Sequence, residues 1–350
     1  MPAGLEVLSE LGLREAVEKE GEPFYGIRYR LPDGTIAEAN FPDGVRALGL
    51  RRRVLDTTLV AACEAEPNVD VRLGVWIRDL CPPARGDSSV RAQVGDEQVE
   101  AAVLVGADGC QSTVRTAWGL TPRRPRRARF GVRAHFESDE IQRVVEVYVG
   151  GDHELYQSAV GPNLTCVALL LDKDGLTPLK GRLEEGLRDL LRRAAPAGGA
   201  YASLAEAPVV GRVAALGPLG LSPRVAHGER LLLVGDAAGA LDPITGEGVA
   251  LSLVTGGIAA GVLDECFKKN GFAASDLKPW TQRRRAAVRA LAGFTQAVLH
   301  LSRHPARAER AVRNLARSPE TFERLLGVAS GLRPLTSLRL RDGVALALGV

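Results

Sequence analysis

The sequence predicts a mixed α/β (α+β) fold, in which a parallel-sheet domain is interrupted by an antiparallel sheet and followed by C-terminal helices. Three observations predict this fold. Two apolar runs each lead through a Gly-Asp turn into a helical pattern, at residues 103–115 and 231–251. Four strand-like runs separated by Gly, Pro, Asn and Asp lie between them, at residues 128–172. A helical, arginine-rich pattern fills residues 276–333.

The composition is that of a globular protein large enough for two domains. The chain has 350 residues, of which 45% are hydrophobic and 25% are charged, and this balance excludes a disordered chain. Lysine and arginine number 45 against 42 acidic residues, which is too even for a protein whose main partner is a nucleic acid. Five cysteines lie far apart with no C-x-x-C pair, which favours free thiols over disulfides or a metal site.

No segment at the start of the chain has the basic and apolar regions of a signal peptide. The longest uncharged stretch, residues 248–263, is shorter than the roughly 20 residues that a membrane span needs, and it is rich in Gly and Ala. We therefore expect a buried helix there, no membrane span, and a cytoplasmic protein.

The first third of the chain alternates between helical and strand patterns. Apolar spacing predicts a helix over residues 3–20 and another over 52–65. Between them, residues 25–29 and 35–37 form a predicted hairpin around Pro32-Asp33-Gly34. Residues 69–75 are predicted as a strand, and residues 89–94 and 99–105 as a pair of strands.

The antiparallel sheet is predicted from runs at residues 129–136, 144–149, 154–160 and 164–171. A charged helix at 179–193 and a strand at 208–216 follow. Residues 230–234 are nearly all apolar, as expected for a parallel strand that is buried on both faces. A long helix of small residues comes next.

The first Gly-Asp corner carries Gly106, Asp108, Gly109, Ser112 and Arg115. Its glycines permit positive φ and close approach of a ligand to the backbone. The Asp can accept a hydrogen bond from a ligand hydroxyl, and the following helix offers free N–H groups.

The second corner runs from a strand through a Gly/Pro-rich loop into a helix. Its distinctive residues are Gly235, Asp236, Pro243, Thr245, Gly246 and Gly248. Two glycines open the helix, so its positive end faces whatever lies in the loop. Because ligands of open α/β sheets bind beyond the carboxyl ends of the strands, the two corners predict one large ligand held at two points.

These residues resemble the FAD-dependent branch of the glutathione-reductase-like superfamily that contains aromatic-ring hydroxylases, flavin halogenases and geranylgeranyl reductases. Residues 106–115 match its "DG" motif, near the FAD pyrophosphate and the route of NAD(P)H. Gly235-Asp236 matches its "GD" motif, whose Asp binds the ribityl hydroxyls, and residues 243–248 match the loop beside the isoalloxazine ring. Arg52 has the best spacing for the arginine that approaches the FAD phosphates, although a solvated basic turn fits the run of three arginines nearly as well.

The resemblance implies a Rossmann-like FAD-binding domain at residues 1–127 and 217–275, an inserted substrate domain at 128–216, and a helical region at 276–350. FAD and NADPH or NADH are the implied cofactors. The implied activity is a monooxygenase that hydroxylates a hydrophobic small molecule through a flavin C4a-hydroperoxide, with no catalytic side chain and no metal.

One alternative is a reductase of an isoprenoid-type C=C bond. Prenyl reductases tend to carry Y-x-W-x-F-P on the strand that faces the ring, and halogenases carry W-x-W-x-I-P. Residues 155–162 read LYQSAVGP, in which only the tyrosine of these motifs is present. This disfavours both the reductase and the halogenase interpretation. Tyr156 and His135 are the candidate substrate-pocket residues, although a core tyrosine fits the pattern about as well and a structural histidine fits it better.

The G-x-G-x-x-G fingerprint that such proteins use for the ADP half of FAD is missing. A βαβ unit needs roughly 30 or more residues, and the chain begins at what resembles the helix after that unit. We therefore expect this chain to bind FAD weakly or not at all. A third reading follows, an N-truncated flavoprotein without activity.

Overall fold

The computed structural model of the chain describes residues 1–84, 86–123, 128–140, 142–339 and 342. The predicted domain boundary at residue 127 and the end of the predicted helical region, residues 343–350, lie outside the described residues. The helices are α1 (Pro2–Glu10), α2 (Arg14–Glu18), α3 (Arg52–Glu64), α4 (Thr113–Ala117), α5 (Lys173–Leu176), α6 (Leu183–Ala194), α7 (Tyr201–Glu206), α8 (Gly248–Lys269), α9 (Ala274–Ser302), α10 (Pro305–Arg317) and α11 (Pro319–Ala329).

The strands are short except in the antiparallel region. They are β1 (Glu22–Phe24), β2 (Gly26–Arg30), β3 (Ile36–Asn40), β4 (Ala47–Gly49), β5 (Ile77–Cys81), β6 (Val90–Val94), β7 (Glu97–Ala101), β8 (Leu104–Gly106), β9 (Pro122–Arg123), β10 (Arg129–Glu137), β11 (Val145–Val149), β12 (His153–Gly161), β13 (Leu164–Asp172), β14 (Ala214–Leu216), β15 (Ser222–Pro223), β16 (His227–Gly228) and β17 (Leu231–Leu233). The predicted mixed α/β fold class is confirmed.

The chain divides into two compact units. Unit 1 contains Met1–Leu59, Arg127–Leu219 and Gly293–Val350, and unit 2 contains Val60–Arg126 and Gly220–Ala292. This division differs from the predicted domains, because the N-terminal segment and the last helices group with the antiparallel strands. The physical reason is pairing and packing: β2 joins β11 in parallel, and side chains of α10 and α11 share a core with β3.

Unit 1 is built on a seven-stranded mixed sheet in the order β14-β10-β13-β12-β11-β2-β3. The four predicted strands are confirmed as β10 to β13, and the predicted hairpin is confirmed as β2 and β3. The Asp33 carboxylate accepts a hydrogen bond from Thr35 N in the turn of that hairpin. Of the strand predicted at residues 208–216, the structure keeps β14 and one isolated bridge from Val209 to Phe136.

The two faces of this sheet have different neighbours. One face, which we call the Tyr148 face, packs against α6 and α7 and forms an apolar core that includes Phe136, Leu155 and Leu187. The opposite face, called the Tyr156 face, is covered at its β2–β3 end by α10 and α11, where Tyr29 stacks on Phe322 at 5.4 Å. Its other end, on β12, β13 and β10, carries partly exposed side chains.

Unit 2 contains a three-stranded sheet in the order β16-β17-β8, a three-stranded antiparallel sheet of β5, β6 and β7, and the short pair β9–β15. The three leucines of β17 are fully buried and the strand runs parallel to β8, as predicted for residues 230–234. Trp280 of α9 is also fully buried, and its Nε1 donates to the carbonyl oxygens of Ala226 and Leu233 at 3.1 and 2.9 Å.

Two strand predictions in unit 2 are wrong. The strand expected at residues 69–75 does not form, and β5 begins at Ile77 instead. The apolar side chains at alternate positions, Val69, Leu73 and Val75, are exposed, so no hydrophobic core stabilises a strand there. The strand expected at residues 99–105 divides into β7, which is antiparallel to β6, and β8, which is parallel to β17.

The first predicted helix also divides in two. α1 and α2 are separated at Gly12, which has a φ of +70°, a value that residues with a Cβ rarely adopt. The helices predicted at residues 52–65 and 179–193 form as α3 and α6, the latter beginning at Leu183.

Helix α8 is long and apolar enough to cross a membrane, by length and composition alone, and it is one such helix among the described residues. A core helix of a soluble protein passes the same test. In the structure, Ala259, Val262 and Cys266 of α8 lie in the core of unit 2, but only 28% of the apolar window is buried, so the helix expected to be buried is covered only in part. The absence of a membrane span and the cytoplasmic location stay predictions.

Candidate functional site

The first corner lies between β8 and α4 in unit 2. A Cβ added to Gly106 would come within 2.8 Å of Leu233 Cδ2 and 2.9 Å of Val114 Cγ1, so only glycine lets the strand pack this closely against β17 and α4. Gly109 has a φ of +79°, which explains the second glycine of the corner. The local sequence therefore fixes a tight strand-to-helix turn.

Asp108 and Ser112 both hold the start of α4. One Asp108 oxygen accepts from Val114 N and Thr113 Oγ1, both at 3.1 Å, and Ser112 Oγ accepts from Arg115 N at 2.8 Å. Burial acts to raise the pKa of Asp108, but hydrogen bonds from Ser112, Val114 and Thr113 to its carboxylate outweigh burial and hold the pKa below its usual value. The N–H groups of Val114 and Arg115, which the sequence suggested were free for a ligand, are therefore used within the corner.

Arg115 connects the two corners. Its side chain is buried, and it donates from Nη2 to Cys110 O at 2.6 Å and from Nη1 to Ala237 O at 3.0 Å. A planar guanidinium is suited to such a link because its donors are rigidly spread. The observed role of Arg115 is thus to join the loops, and its contact with a cofactor stays a prediction.

Asp236 lies in the second corner, on a 3-10 turn that follows β17. The carboxylate is close enough to Cys110 to add to the effect of burial in raising the pKa of that thiol. It also partly offsets the burial that lowers the pKa of Arg284. Gly235 and Gly239, with φ of +54° and +123°, flank this turn. The structure therefore brings the two predicted aspartate corners together within unit 2.

The loop before α8 is open where the resemblance places the isoalloxazine ring. A Cβ added to Gly246 or Gly248 would meet nothing within 4 Å, and Gly246 adopts a φ of +69°. Pro243 and Thr245 form a 3-10 turn whose N-cap Asp242 accepts from Ile244 N at 3.1 Å. The residue before α8 makes no side-chain capping bond. An uncapped helix start beside open space fits a bulky group that carries partial negative charge, such as a flavin.

Sequence reasoning did not single out Glu247, although it stands between the two glycines of this loop. It is 5% exposed, and its Oε1 has no hydrogen-bond partner among the described residues. Burial raises the pKa of Glu247 to about 7. The folded protein therefore favours the protonated carboxyl.

We expect the stability of the protein to fall between pH 5 and pH 8 because of Glu247. The folded pKa of about 7 lies above the usual 4.5, so the contribution is present below pH 4.5 and is lost as the pH rises through 7. The loss amounts to about 3 kcal/mol at most. Urea unfolding at both pH values should show that Glu247→Gln is less pH-dependent than the wild type. Glu66→Gln, at an exposed site, is the control, and equal slopes in all three proteins would contradict the assignment.

Arg52 lies in unit 1, at the first residue of α3, and its exposed side chain pairs with Asp56 at 3.2 Å. This i,i+4 ion pair is a surface interaction of small energy. Binding of a phosphate by Arg52 stays a prediction.

The two predicted substrate-pocket residues share one face of the sheet in unit 1. Cross-strand partners point to the same side, and the register places Tyr156, Ala168 and Arg133 in one row and Ser158, Cys166 and His135 in the next. The two residues predicted from the sequence, Tyr156 and His135, therefore lie on the same face of the sheet. Their contact with a substrate is not tested by the fold.

Among the described residues, no group of three or more His, Cys, Asp or Glu side chains could hold a metal ion. The five cysteines are free, and Cys110 and Cys266 are buried.

The chain is similar in sequence to two curated enzymes. It is 29% identical to digeranylgeranylglycerophospholipid reductase 2 of Methanopyrus kandleri over 252 residues, which cover 67% of this chain and 60% of that protein. It is 26% identical to kynurenine 3-monooxygenase of Salinispora arenicola over 334 residues, which cover 84% of this chain and 67% of that protein. The chain thus spans about two thirds or less of the length of these relatives. No protein-family model matches it.

Solved structures share the fold. The p-nitrophenol 4-monooxygenase of Pseudomonas putida superposes with a TM-score of 0.77 at 18% identity, over 97% of this chain and 88% of that one. A halogenase in complex with phloroglucinol and FAD superposes with a TM-score of 0.74 at 12% identity, over 99% of this chain and 80% of that one. The resemblance drawn from the two corners is confirmed: the chain shares sequence and fold with the FAD-dependent oxidoreductase superfamily that contains monooxygenases, flavin halogenases and geranylgeranyl reductases.

Proposed function

We propose that the protein is an FAD-dependent oxidoreductase, and specifically a monooxygenase that uses NADPH or NADH to hydroxylate a hydrophobic small molecule. The observation that carries this proposal is the second corner, in which the buried strand β17 leads through Asp236 to the open, uncapped start of α8. The names of the relatives and the FAD complex of a fold neighbour support the same chemistry.

The residues of unit 2 have distinct roles in this proposal. Asp236 would accept hydrogen bonds from the ribityl hydroxyls, and the start of α8 would stabilise negative charge on the ring. Arg115 joins the two corners, and Asp108 and Ser112 hold the start of α4. FAD, when bound, would supply the electron transfer from the nicotinamide to dioxygen.

In unit 1, the Tyr156 face would carry the substrate. Burial, with the charges of Arg133 and Arg51, lowers the pKa of His135 to about 4, so its imidazole stays neutral at physiological pH. A neutral imidazole can donate or accept a hydrogen bond but adds no charge. His135 would therefore orient a substrate without acting as a cation.

Titration of the purified chain with FAD tests the cofactor proposal. Stoichiometric binding, seen in the flavin absorbance bands, would support it and would contradict the expectation of weak binding that rests on the missing fingerprint. Oxidation of NADPH or NADH and incorporation of label from ¹⁸O₂ into a hydrophobic phenol would identify a monooxygenase. Saturation of an isoprenoid double bond with no label uptake would identify the reductase alternative. A chain that binds no flavin and oxidises no nicotinamide would agree with the inactive reading.

A further inference from the structure

Helix α10 of unit 1 presents three arginines on one side. Arg307, Arg310 and Arg317 are three and seven residues apart, a spacing that places them on the same side of a helix. All three are exposed, and none forms an ion pair with a carboxylate among the described residues. The polar contact that their side chains make is from Arg307 Nη1 to His300 Nε2, at 3.2 Å. We call these three residues the α10 arginine face.

The other side of α10 holds the helix in one orientation. Val312 and Leu315 are buried and share a core with β3. The fourth arginine of the helix, Arg313, pairs with Asp33 Oδ2 at 2.7 Å and donates to Thr35 Oγ1 at 3.0 Å, in the turn of the β2–β3 hairpin. Since both contacts fix the rotation of α10 about its axis, the α10 arginine face stays on the surface of unit 1.

Helix α6 shows that a surface helix of the same unit can be electrically neutral. It carries three arginines and three acidic residues, and it pairs Arg188 with Glu184 at 3.1 Å and Arg192 with Asp189 at 3.3 Å. Helix α10 carries four arginines and one acidic residue, Glu309, which forms no ion pair with the residues that the structure describes. The positive charge of α10 is therefore left without compensation within the described part of the chain.

This pattern of charge disfavours the helix itself. Arg307 and Arg310 are like charges at i,i+3, as are Arg310 and Arg313, and such pairs repel each other. The first turn of α10 contains Arg307 and no acidic residue, so a positive charge lies at the positive end of the helix macrodipole. Both effects become smaller when an anionic surface lies against the α10 arginine face. The arrangement therefore suits a partner more than it suits the stability of the free protein.

An anionic lipid surface fits this face better than a protein or a nucleic acid does. The other exposed residues of α10 are Pro305 and Ala306, so the helix offers no aromatic or large apolar side chain of the kind that fills the core of a protein interface. A guanidinium binds a phosphate through two parallel hydrogen bonds, and lipid headgroups can move to meet it. The near balance of 45 basic and 42 acidic residues argues against a nucleic acid as the main partner.

We propose that the α10 arginine face binds anionic phospholipid headgroups and holds the protein on the surface of a membrane, without crossing it. Arg303, which is exposed in the turn that precedes α10, adds a further positive charge to this end of the helix. The inference goes beyond the proposed function. An apolar substrate would concentrate in the bilayer, so attachment would bring the protein to its supply.

Sedimentation of the full chain with lipid vesicles tests the inference. The chain should bind vesicles of phosphatidylcholine that contain about 30% phosphatidylglycerol, and it should not bind vesicles of phosphatidylcholine alone. An arginine near an anionic bilayer strengthens partition about fivefold, so Arg307→Gln and Arg310→Gln should each weaken binding about fivefold and together about 25-fold. Binding should be lost when the salt concentration rises from about 0.1 M to about 0.5 M, because salt screens exposed charges.

Arg193→Gln is the matched control, since it removes the same charge from an exposed site on α6, the neutral helix. It should bind vesicles as the wild type does. Equal binding to both kinds of vesicle would overturn the inference, as would binding that survives the double change at Arg307 and Arg310. Polyglutamate or polyuridylate that displaces the vesicles and depends on the same two arginines would also overturn it, by assigning the face to an acidic protein or to RNA. Should the double variant fail to fold, the two single variants decide.

The two proposals fail in different ways, because the vesicle assay needs no flavin. A chain that binds no FAD but binds anionic vesicles through α10 would refute the proposed function and keep the membrane surface. A chain that binds FAD and oxidises NAD(P)H but does not bind these vesicles would refute the membrane surface alone.

Discussion

Replacement of Arg284 by methionine is expected to weaken flavin binding by about 100-fold without lowering the thermal stability of the protein. Arg284 lies on α9 and is only 8% exposed. Its Nη2 donates to the carbonyl oxygen of Gly239, at the end of the turn that carries Asp236. Its Nε has no partner among the described residues.

Burial makes Arg284 costly to keep charged. It lowers the pKa of the guanidinium, and the nearby Asp236 offsets only part of this effect. Apolar replacements of buried charges are often neutral or stabilising, provided that the partner is not left as a buried charge. Asp236 is only half-buried, so it keeps access to water. Arg284→Met loses the hydrogen bond to the Gly239 carbonyl oxygen, but it also removes the cost of burying the guanidinium charge, and the two effects offset each other.

Arg284 should therefore add little to the stability of the fold. Its expected role is to hold the Asp236 turn in the conformation that binds the flavin. Titration with FAD and riboflavin, followed by quenching of flavin fluorescence, measures the first effect, and thermal unfolding measures the second. Arg283→Met is the control, because Arg283 is the adjacent residue on α9 but pairs with Glu265 at the surface, at 2.8 Å. Unchanged flavin affinity in Arg284→Met, or equal weakening in both variants, would show that Arg284 does not position the turn.

The sequence predicts an element well where its own side chains form the core. The leucines of β17 are buried on both faces, so an uninterrupted apolar run was sufficient to predict a central parallel strand. The strand predicted at residues 69–75 failed for the opposite reason, since Trp76, beside it, is 79% exposed and no core selects the alternation. Where one run passes from β7 to β8, the pattern cannot show that the pairing partner changes.

The residues of the candidate site also fall into those that the sequence predicts and those that it does not. Glycines and aspartates of the two corners were visible in the sequence, because special backbone conformations need particular residue types. Arg284 was not visible, since an arginine in a helix usually lies in solvent. What distinguishes Arg284 is its burial in three dimensions, where its Nε has no hydrogen-bond partner among the described residues. Only Glu247 offered a signal that could have been used, namely its place between two motif glycines.

The largest loss of stability is expected from Glu146, which we predict to cost 3–5 kcal/mol when it is replaced by alanine. Glu146 is buried on β11 and accepts hydrogen bonds from Arg30 Nε and Nη2, at 3.0 and 2.9 Å, from Arg28 Nη1 at 3.3 Å and from Gln157 Nε2 at 2.8 Å. Burial acts to raise its pKa, but the hydrogen bonds and charge of Arg30 outweigh this and lower it. The carboxylate is therefore ionised and holds two arginines.

The burial of Arg30 distinguishes this ion pair from a surface ion pair. Its other recorded bond is to the carbonyl oxygen of Ala197, at 3.0 Å, so Glu146→Ala leaves a buried cation without a counter-ion. Glu38→Ala is the matched control. It removes the other partner of Arg28, at 2.6 Å, but from a pair that is about one-third exposed, and we expect at most about 1 kcal/mol.

Urea unfolding of both variants at pH 7 measures this contrast. The combined change Arg30→Met and Glu146→Leu should recover most of the lost stability, because no unpaired charge remains buried. The stability that Glu146 contributes should also decrease as the pH decreases. A carboxyl group whose folded pKa is lowered stabilises the protein above the usual carboxyl pKa, and this contribution disappears as the pH drops through the folded pKa. If Glu146→Ala and Glu38→Ala cost the same, the buried ion pair contributes no more to stability than a surface pair does.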